Sequence, residues 1–149
     1  MYKTILVPLD GSKRAEAILP HVENLALSLN AKVILFMVEE PVLMLGYDEI
    51  VDMSKYHEER DHKKKQIGSY LASVQKDFRA KGIAVQTLIG HGSVTKAIID
   101  AAEQENAGLV AMASHGHGAL FRTFYGSVVA GVLQRIDRPL FLIRSRRSG

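Results

Sequence analysis

Five short apolar segments alternate with amphipathic segments along this chain, and this alternation limits the possible folds more than any other feature of the sequence. The apolar segments are hydrophobic at nearly every position, which is typical of strands covered on both faces. The order of the segments predicts an α/β protein whose parallel sheet lies between two layers of helices. The predicted strands span residues 4–9, 32–38, 83–89, 108–113 and 140–143.

The amphipathic segments carry apolar residues three and four positions apart, and they predict four helices. Ser12 is the predicted N-cap of the first helix, and Asn30 stands where a left-handed residue would end it. Gly82 closes the second helix, the turn at residues 90–93 opens the third, and Pro139 follows the last. The residues predicted to face inward are Ile18, Leu19, Val22, Leu25, Ala26, Leu29, Ile67, Tyr70, Leu71, Val74, Phe78, Ala97, Ile98, Ile99, Ala102, Val128, Val129, Val132, Leu133 and Ile136.

Composition favours one domain and excludes cysteine chemistry. A chain of 149 residues with 47% hydrophobic content fits a single core of ordinary size. We expect residues 1–145 to form one domain and residues 146–149 to be a basic tail. Because the sequence has no cysteine, it can form no disulfide, thiolate zinc site or cysteine nucleophile.

Charge and hydropathy argue against nucleic acid and membranes as partners. The net charge of +3 comes from 19 basic and 16 acidic residues, and Arg144, Arg146 and Arg147 account for the excess. The remainder is neutral, whereas a nucleic-acid binder usually has a basic face across the domain. No apolar run approaches the length that spans a bilayer, and no secretory signal precedes the first predicted strand. We therefore expect a cytoplasmic protein.

Glycines and serines cluster after the fourth predicted strand, and ligands of open α/β sheets bind at such strand ends. Residues 114–119 read Ser-His-Gly-His-Gly-Ala, and residues 125–128, Tyr-Gly-Ser-Val, open the last helix. Glycines allow backbone amides to approach an anion, and a helix N-terminus adds partial positive charge. The spacing matches neither the P-loop nor the GxGxxG pattern. On spacing alone, the segment is either a phosphate site or a turn.

Several polar residues that follow other strands also have two interpretations. Asp10 would suit ribose hydroxyls or an adenine amino group, but it is also a turn-forming residue before glycine. His91 and His115 are either pH-sensitive contacts at the site or turn residues beside a ligand. His57 and His62 lie five positions apart on a charged segment, so we expect them to be exposed to solvent instead of binding a metal.

The sequence shows no nucleophile with an adjacent base and an orienting group. Ser12, Ser93, Ser114 and Ser127 are explained as helix caps or turn residues. Asp10 is the only acidic residue that we expect at the site, and the loop offers no obvious Lys or Arg to hold a phosphate. Any phosphoryl transfer is therefore expected to be slow.

The chain resembles the universal stress protein family over nearly its whole length. The ATP-binding members of that family carry Gly, two residues, a second Gly, nine residues, and then Gly-Ser or Gly-Thr. Gly116, the nine residues after it, and Gly126 with Ser127 match this pattern, whereas Ala113 replaces the first glycine. The other segments that carry the resemblance are residues 5–8, 10–12, 114–116, 126–128 and 138–140, together with Gly92.

The resemblance implies a doubly wound five-stranded parallel sheet of strand order 3-2-1-4-5, similar to the adenine-nucleotide alpha-hydrolase fold. It also implies that ATP lies across the strand ends, with Mg²⁺ or Mn²⁺ bound through the phosphates and no dedicated metal ligand from the chain. The residues implied to contact adenine and ribose are Pro8, Leu9, Asp10 and Val38. Those implied to line the ribose and phosphate path or hold the phosphates are Met112, Ala113, Gly116, Gly126, Ser127 and Val128.

Two further implications concern the phosphates and the assembly. His117 stands at the phosphate path where many relatives carry Arg or Lys, which weakens a charge contact with phosphate at neutral pH. Similar proteins form homodimers by antiparallel pairing of their last strands, which here would run from Phe141 to Arg144.

Two functions follow from this interpretation. The first is an ATP-binding stress-response protein that signals through occupancy or slow hydrolysis, and Gly116, Gly126 and Ser127 favour it. The second is a dimeric interaction module that has lost ATP, and Ala113 favours it. In that case residues 39–52 would be the surface for an unknown protein partner. Flavin or phosphoacceptor signalling is a poorer fit, because Gly90 and His91 occupy the place of the acceptor aspartate.

Overall fold

The fold is a single five-stranded sheet with helices on both faces. The computed structural model describes residues 1–40, 53–115 and 122–145. The strands are β1 (Thr4–Pro8), β2 (Lys32–Glu39), β3 (Val85–His91), β4 (Leu109–His115) and β5 (Leu140–Ser145). The helices are α1 (Leu19–Leu29), α2 (Met53–Ala80), α3 (Val94–Gln104) and α4 (Arg122–Arg135), and a 3₁₀ turn, Ala15–Ile18, precedes α1.

The strand order is β3-β2-β1-β4-β5, and every neighbouring pair is parallel, which confirms the expected doubly wound sheet. β1 lies at the centre and pairs with β2 on one side and β4 on the other. The chain therefore leaves β1 in one direction and returns to β4 on the other side. This reversal opens a crevice at the carboxyl ends of β1 and β4.

Two buried clusters, one on each face of the sheet, make up the core. Successive strand side chains point to opposite faces, so Ile5 and Val7 join α1 and α2 while Leu6 joins α3 and α4. Phe78 is the largest buried side chain that α2 contributes, and Ile98 of α3 is buried on the other face. Each such side chain contributes about 1.5–3 kcal/mol when it is fully removed from water. The strands must therefore carry apolar side chains on both faces of the sheet, as their continuous apolar runs predicted.

The predicted C-terminal ends of α1 and α2 agree with the backbone conformation, whereas α4 begins at Arg122 and not at the predicted residues 125–128. Asn30 ends α1 in the left-handed region at φ 51° and ψ 48°. Gly82 follows α2 at φ 80°, where a side chain would be strained. Ser12 accepts a hydrogen bond from the Ala15 amide at 3.1 Å, as a cap would, although the first turn is 3₁₀ and α1 begins only at Leu19.

Helix α2 packs unevenly along its length. It has 28 residues, which corresponds to about 42 Å. Its buried apolar residues, from Ile67 to Phe78, lie in the C-terminal half, whereas residues 57–62 are exposed. Neither α2 nor any other helix in the described ranges combines the length and the apolar character that crossing a membrane requires.

Arg138 connects the end of α3 to the start of β5. Its Nη1 donates to the Ala102 carbonyl at 2.7 Å and to the Ala107 carbonyl at 3.2 Å. Both alanines are buried, so these carbonyls have limited access to water. The side chain of Arg138 is 17% exposed. A family-like Arg-Pro pair thus has a structural role here, since it satisfies backbone acceptors after α3.

We expect Arg138→Met to lower the free energy of unfolding by roughly 1–3 kcal/mol, because two buried carbonyls lose a charged donor. Urea denaturation followed by circular dichroism measures this change. Arg135→Met on the exposed end of α4 is the matched control and should stay within about 0.5 kcal/mol of the wild type. Equal stability of the two variants would contradict the role of Arg138.

Candidate functional site

A cleft opens at the carboxyl ends of β1 and β4, where the strand order reverses. It contains about 380 Å³ of empty space, part of which is open to solvent. The 3₁₀ turn and helices α3 and α4 complete its walls. The lining residues are Pro8, Leu9, Asp10, Ala15, Val94, Ile98, Met112, Ala113 and Val128. This is the place where open α/β sheets bind their ligands.

The cleft brings together six of the eleven residues that the resemblance assigns to the nucleotide: Pro8, Leu9, Asp10, Met112, Ala113 and Val128. Val38 does not line the cleft. It pairs with Gly90 in the sheet and packs against the α3 and α4 face of the core. Gly116 and His117 lie outside the described residues. Gly126 and Ser127 lie within α4, as part of its backbone.

Three lining residues were not assigned to the site from the sequence: Ala15, Val94 and Ile98. Ile98 is a predicted inward-facing core residue. The helical periodicity of α3 does not show that the N-terminal end of this helix borders a cleft. Val94 follows Ser93 at the start of α3, so the position after a predicted strand end was the available signal. Val94 and Ile98 make the α3 wall of the cleft apolar, and Ala15 belongs to the 3₁₀ turn.

Asp10 is the only charged residue among those that line the cleft. Its Oδ1 accepts a hydrogen bond from the Ser12 amide at 2.9 Å, which is the turn-forming role considered from the sequence. Gly11 between them has φ 86°, as this turn requires. The carboxylate is exposed at the cleft, so the turn role and a role toward a ligand are compatible.

Ala113 adopts an ordinary strand backbone. It lies within β4, where it pairs with Ile143. Among the described non-glycine residues, only Asn30 and Asn106 have positive φ. The position therefore does not require glycine for its backbone conformation. The effect of alanine is confined to one added methyl group on a residue that is 6% exposed and lines the cleft.

A tyrosine on α2 lies near the acidic side of the cleft. The Tyr70 hydroxyl donates a hydrogen bond to Glu16 Oε2 at 2.6 Å, which links α2 to the 3₁₀ turn. Burial raises the pKa of Tyr70 well above its ordinary value of 10.0, and the hydrogen bond and the charges of Glu16 and Asp10 raise it further. The neutral hydroxyl is thus held as a donor beside two carboxylates.

The described residues contain no group of three or more histidine, aspartate or glutamate side chains that could hold a metal ion. The exposed His57 and His62 on α2 agree with the prediction that they face solvent. His91 ends β3, pairs in register with Glu39, and lies outside the residues that line the cleft. The side chain of His115 is not part of the described structure.

The fold and the cleft agree with the family that the sequence resembles, and a direct comparison decides the matter. The model of the universal stress protein family matches residues 1–144. The chain belongs to the universal stress protein family. Universal stress protein MJ0577 of Methanocaldococcus jannaschii is 26% identical over 162 residues, and the alignment covers 99% of this chain and 98% of that protein.

Solved structures of this family share the architecture. The MJ0577 protein superposes with a TM-score of 0.82 at 27% identity, covering 99% of each chain. A universal stress protein in complex with cAMP superposes with a TM-score of 0.71 at 20% identity, covering 97% of this chain and 98% of that one. A family member from Arabidopsis thaliana with AMP bound gives 0.64 at 13% identity, covering 97% and 92%.

We expect Tyr70→Phe to lower stability by about 1 kcal/mol at neutral pH, because Glu16 loses a donor. The pKa of Tyr70 in the folded protein lies above its value of 10.0 in the unfolded chain. The stability that the Tyr70 hydroxyl contributes is therefore fully present below pH 10.0 and is lost as the pH rises further. Urea denaturation from about pH 8 to about pH 11 should therefore show the two proteins converging.

Glu16→Gln provides the control for this pH dependence. It removes the carboxylate that accepts the hydrogen bond and contributes to the raised pKa of Tyr70. The stability difference between Glu16→Gln and the double variant Glu16→Gln, Tyr70→Phe should therefore change less with pH than the difference between wild type and Tyr70→Phe. A stability difference between wild type and Tyr70→Phe that stays constant over the whole range would contradict the assignment.

Proposed function

We propose that this universal stress protein binds ATP in the cleft between β1 and β4 and acts as a cytoplasmic stress-response dimer that signals through nucleotide occupancy. The observation that carries the proposal is the meeting of Pro8, Leu9, Asp10, Met112, Ala113 and Val128 at this cleft. The resemblance to the family implies that those residues contact the nucleotide. Relatives of the same fold with cAMP and with AMP bound support an adenine nucleotide as the ligand.

The chemistry of the cleft suits a nucleoside. Its walls are apolar except for Asp10, so they favour a flat base and a sugar over a bare anion. The exposed Asp10 carboxylate is an acceptor for ribose hydroxyls or for the adenine amino group. The phosphates would then extend toward Gly116 and His117 and toward Gly126, Ser127 and Val128 in α4, where a Mg²⁺ or Mn²⁺ ion bound to them would neutralise their charge.

The same cleft argues for binding over rapid turnover. Phosphoryl transfer requires groups that stabilise charge on the transferred phosphate, and no Lys or Arg is among the residues that line the described cleft. Asp10 is engaged with the Ser12 amide through one oxygen. We therefore infer that hydrolysis is slow at most, and that the bound state itself is the signal.

The direct test is whether the purified protein holds an adenine nucleotide and responds to added ATP. Mass spectrometry of the supernatant after heat denaturation identifies a co-purified nucleotide. ATP with Mg²⁺ at about a hundred times its Kd should raise the melting temperature by about 5–10 °C. If no nucleotide is released and micromolar ATP leaves the melting temperature unchanged, the ATP proposal fails.

Asp10→Asn should weaken ATP binding roughly tenfold, because the amide keeps the acceptor for Ser12 but lacks the charge that strengthens a bond to a hydroxyl or amino donor. Isothermal titration calorimetry measures the change. Asp77→Asn, an exposed position on α2 away from the cleft, is the matched control and should bind as the wild type does. Equal affinity of the two variants would remove Asp10 from the site.

The second candidate is an interaction module of the same fold that does not bind nucleotide. Ala113 is the feature that favours it, because its methyl group faces the cleft where the ATP-binding pattern has glycine. Its ordinary strand backbone weakens this argument, since the backbone path is not altered. A protein that is dimeric but fails both nucleotide tests would support this second function.

The dimer is proposed to form through β5. This strand is at the edge of the sheet, and an exposed edge offers unpaired backbone groups to a second strand. Leu142 in its centre is 37% exposed although it is a large apolar residue. Antiparallel pairing along Phe141 to Arg144 would cover this residue and continue the sheet into the second protomer.

We expect Leu142→Lys to convert the dimer to a monomer, because pairing around the two-fold axis would bring like charges together. Light scattering coupled to gel filtration measures the mass. Leu27→Lys on the exposed face of α1 is the matched control and should leave the mass unchanged. A Leu142→Lys protein that stays dimeric would place the interface elsewhere.

A further inference from the structure

A buried glutamate lies at the end of β2, outside the cleft. Glu39 is the last residue of β2, and it is in register with His91, the last residue of β3. The Glu39 residue is 6% exposed, whereas the His91 side chain is 60% exposed. Neither is among the residues that line the cleft. The family pattern that implies a nucleotide site does not explain why a carboxylate is buried here.

The contacts of Glu39 leave one carboxylate oxygen unsatisfied. Its Oε2 is buried and has no hydrogen-bond partner in the part of the chain that the structure describes. His91 Nδ1 lies 3.4 Å from Oε2. The other oxygen, Oε1, lies 3.7 Å from Arg60 Nε, and the Arg60 side chain is 52% exposed. A buried carboxylate oxygen without a donor costs free energy unless another cation neutralises it.

The separation of these two atoms is longer than a strong hydrogen bond, and it is compatible with two ligands of one metal ion. A hydrogen bond from an imidazole N–H to a carboxylate has a length of about 2.7–2.9 Å. Nitrogen and oxygen ligands lie about 2.0–2.2 Å from a tetrahedral zinc ion, so two of them are about 3.3–3.5 Å apart. The observed 3.4 Å lies within that interval.

We propose that Glu39 Oε2 and His91 Nδ1 bind a divalent transition-metal ion of the zinc type, with water completing the coordination. An imidazole nitrogen paired with a carboxylate favours such ions over Mg²⁺, which prefers oxygen ligands alone. Two protein ligands are fewer than a dedicated structural site has, so the affinity is modest. The ion is distinct from any ion carried by nucleotide phosphates, because the pair lies outside the cleft.

The sheet fixes the position of Glu39 and of the strand end that carries His91. The β2 and β3 backbones are paired along seven residues up to Glu39 and His91. Gly90 lets the Phe36 ring pack against the end of β3, since a Cβ atom there would lie 2.5 Å from the ring. Arg60 is the competing cation. It comes from the exposed half of α2, so it can move away from Glu39 at little cost to the core.

The test is the binding of Zn²⁺ to the full chain, measured by calorimetry and by the Zn²⁺-dependent change in melting temperature. Glu39→Gln and His91→Gln should each weaken binding on the order of tenfold or more, since loss of an outer-sphere partner alone costs about 10–100-fold. His62→Gln, an exposed histidine on α2, is the matched control and should bind Zn²⁺ as the wild type does. Mg²⁺ should produce no change in melting temperature in nucleotide-free protein.

Arg60→Gln separates a metal site from a simple ion pair. Removal of the competing cation should tighten Zn²⁺ binding if Glu39 is a ligand. Unchanged or weaker binding in Arg60→Gln, or equal Zn²⁺ affinity in wild type and His91→Gln, would overturn the proposal. The His91 variant decides the question even if Glu39→Gln fails to fold, because its side chain is largely exposed.

Discussion

Burial of the sheet on both faces is the constraint on which the rest of this structure depends. Each strand between the edges must be apolar on both sides, so polar groups are confined to the strand ends. Parallel pairing places all carboxyl ends at one edge of the sheet. The strand residues that line the cleft therefore lie at the carboxyl-terminal ends of β1 and β4, and Asp10, just after β1, is the charged residue among those that line it. The described part of the cleft is a consequence of strand order.

The sequence predicts the elements well because their patterns are local. All five strands and most inward positions of the helices follow from apolar runs and helical periodicity, and Asn30 and Gly82 mark helix ends that the backbone confirms. The prediction is wrong for Leu29 and Leu133, which are 42% and 55% exposed. Strand order is different, since it depends on contacts between distant segments. It came from the resemblance to a family and not from periodicity.

The candidate site was predictable at the strand ends and less so elsewhere. Asp10 follows from the rule that ligands bind beyond the carboxyl ends of strands, whereas Pro8, Leu9 and Met112 were implied only by the resemblance to the family. Ile98 could not be separated from the core, because the same helical face is buried along α3 and borders the cleft near its start, whereas the position of Val94 after a predicted strand end was a usable signal. The pairing of Glu39 with His91 depends on the register of β2 and β3, which no local pattern reveals. Val38 shows the same limit. The resemblance implied a contact with the base, but Val38 packs against the α3 and α4 face of the core and is not among the residues that line the cleft.

Among the side chains of α2 that the structure describes, from residue 57 onward, the buried apolar ones lie in the C-terminal half of the helix. The segment from Ile67 to Phe78 fixes the helix on the sheet, while the turns around residues 57–62 meet mainly solvent. Helix turns whose side chains are exposed, such as those at residues 57–62, can be gained or lost without repacking of the sheet. Over evolutionary time, changes in chain length can therefore accumulate in these turns of α2, while the positions that shape the cleft stay under constant packing constraint.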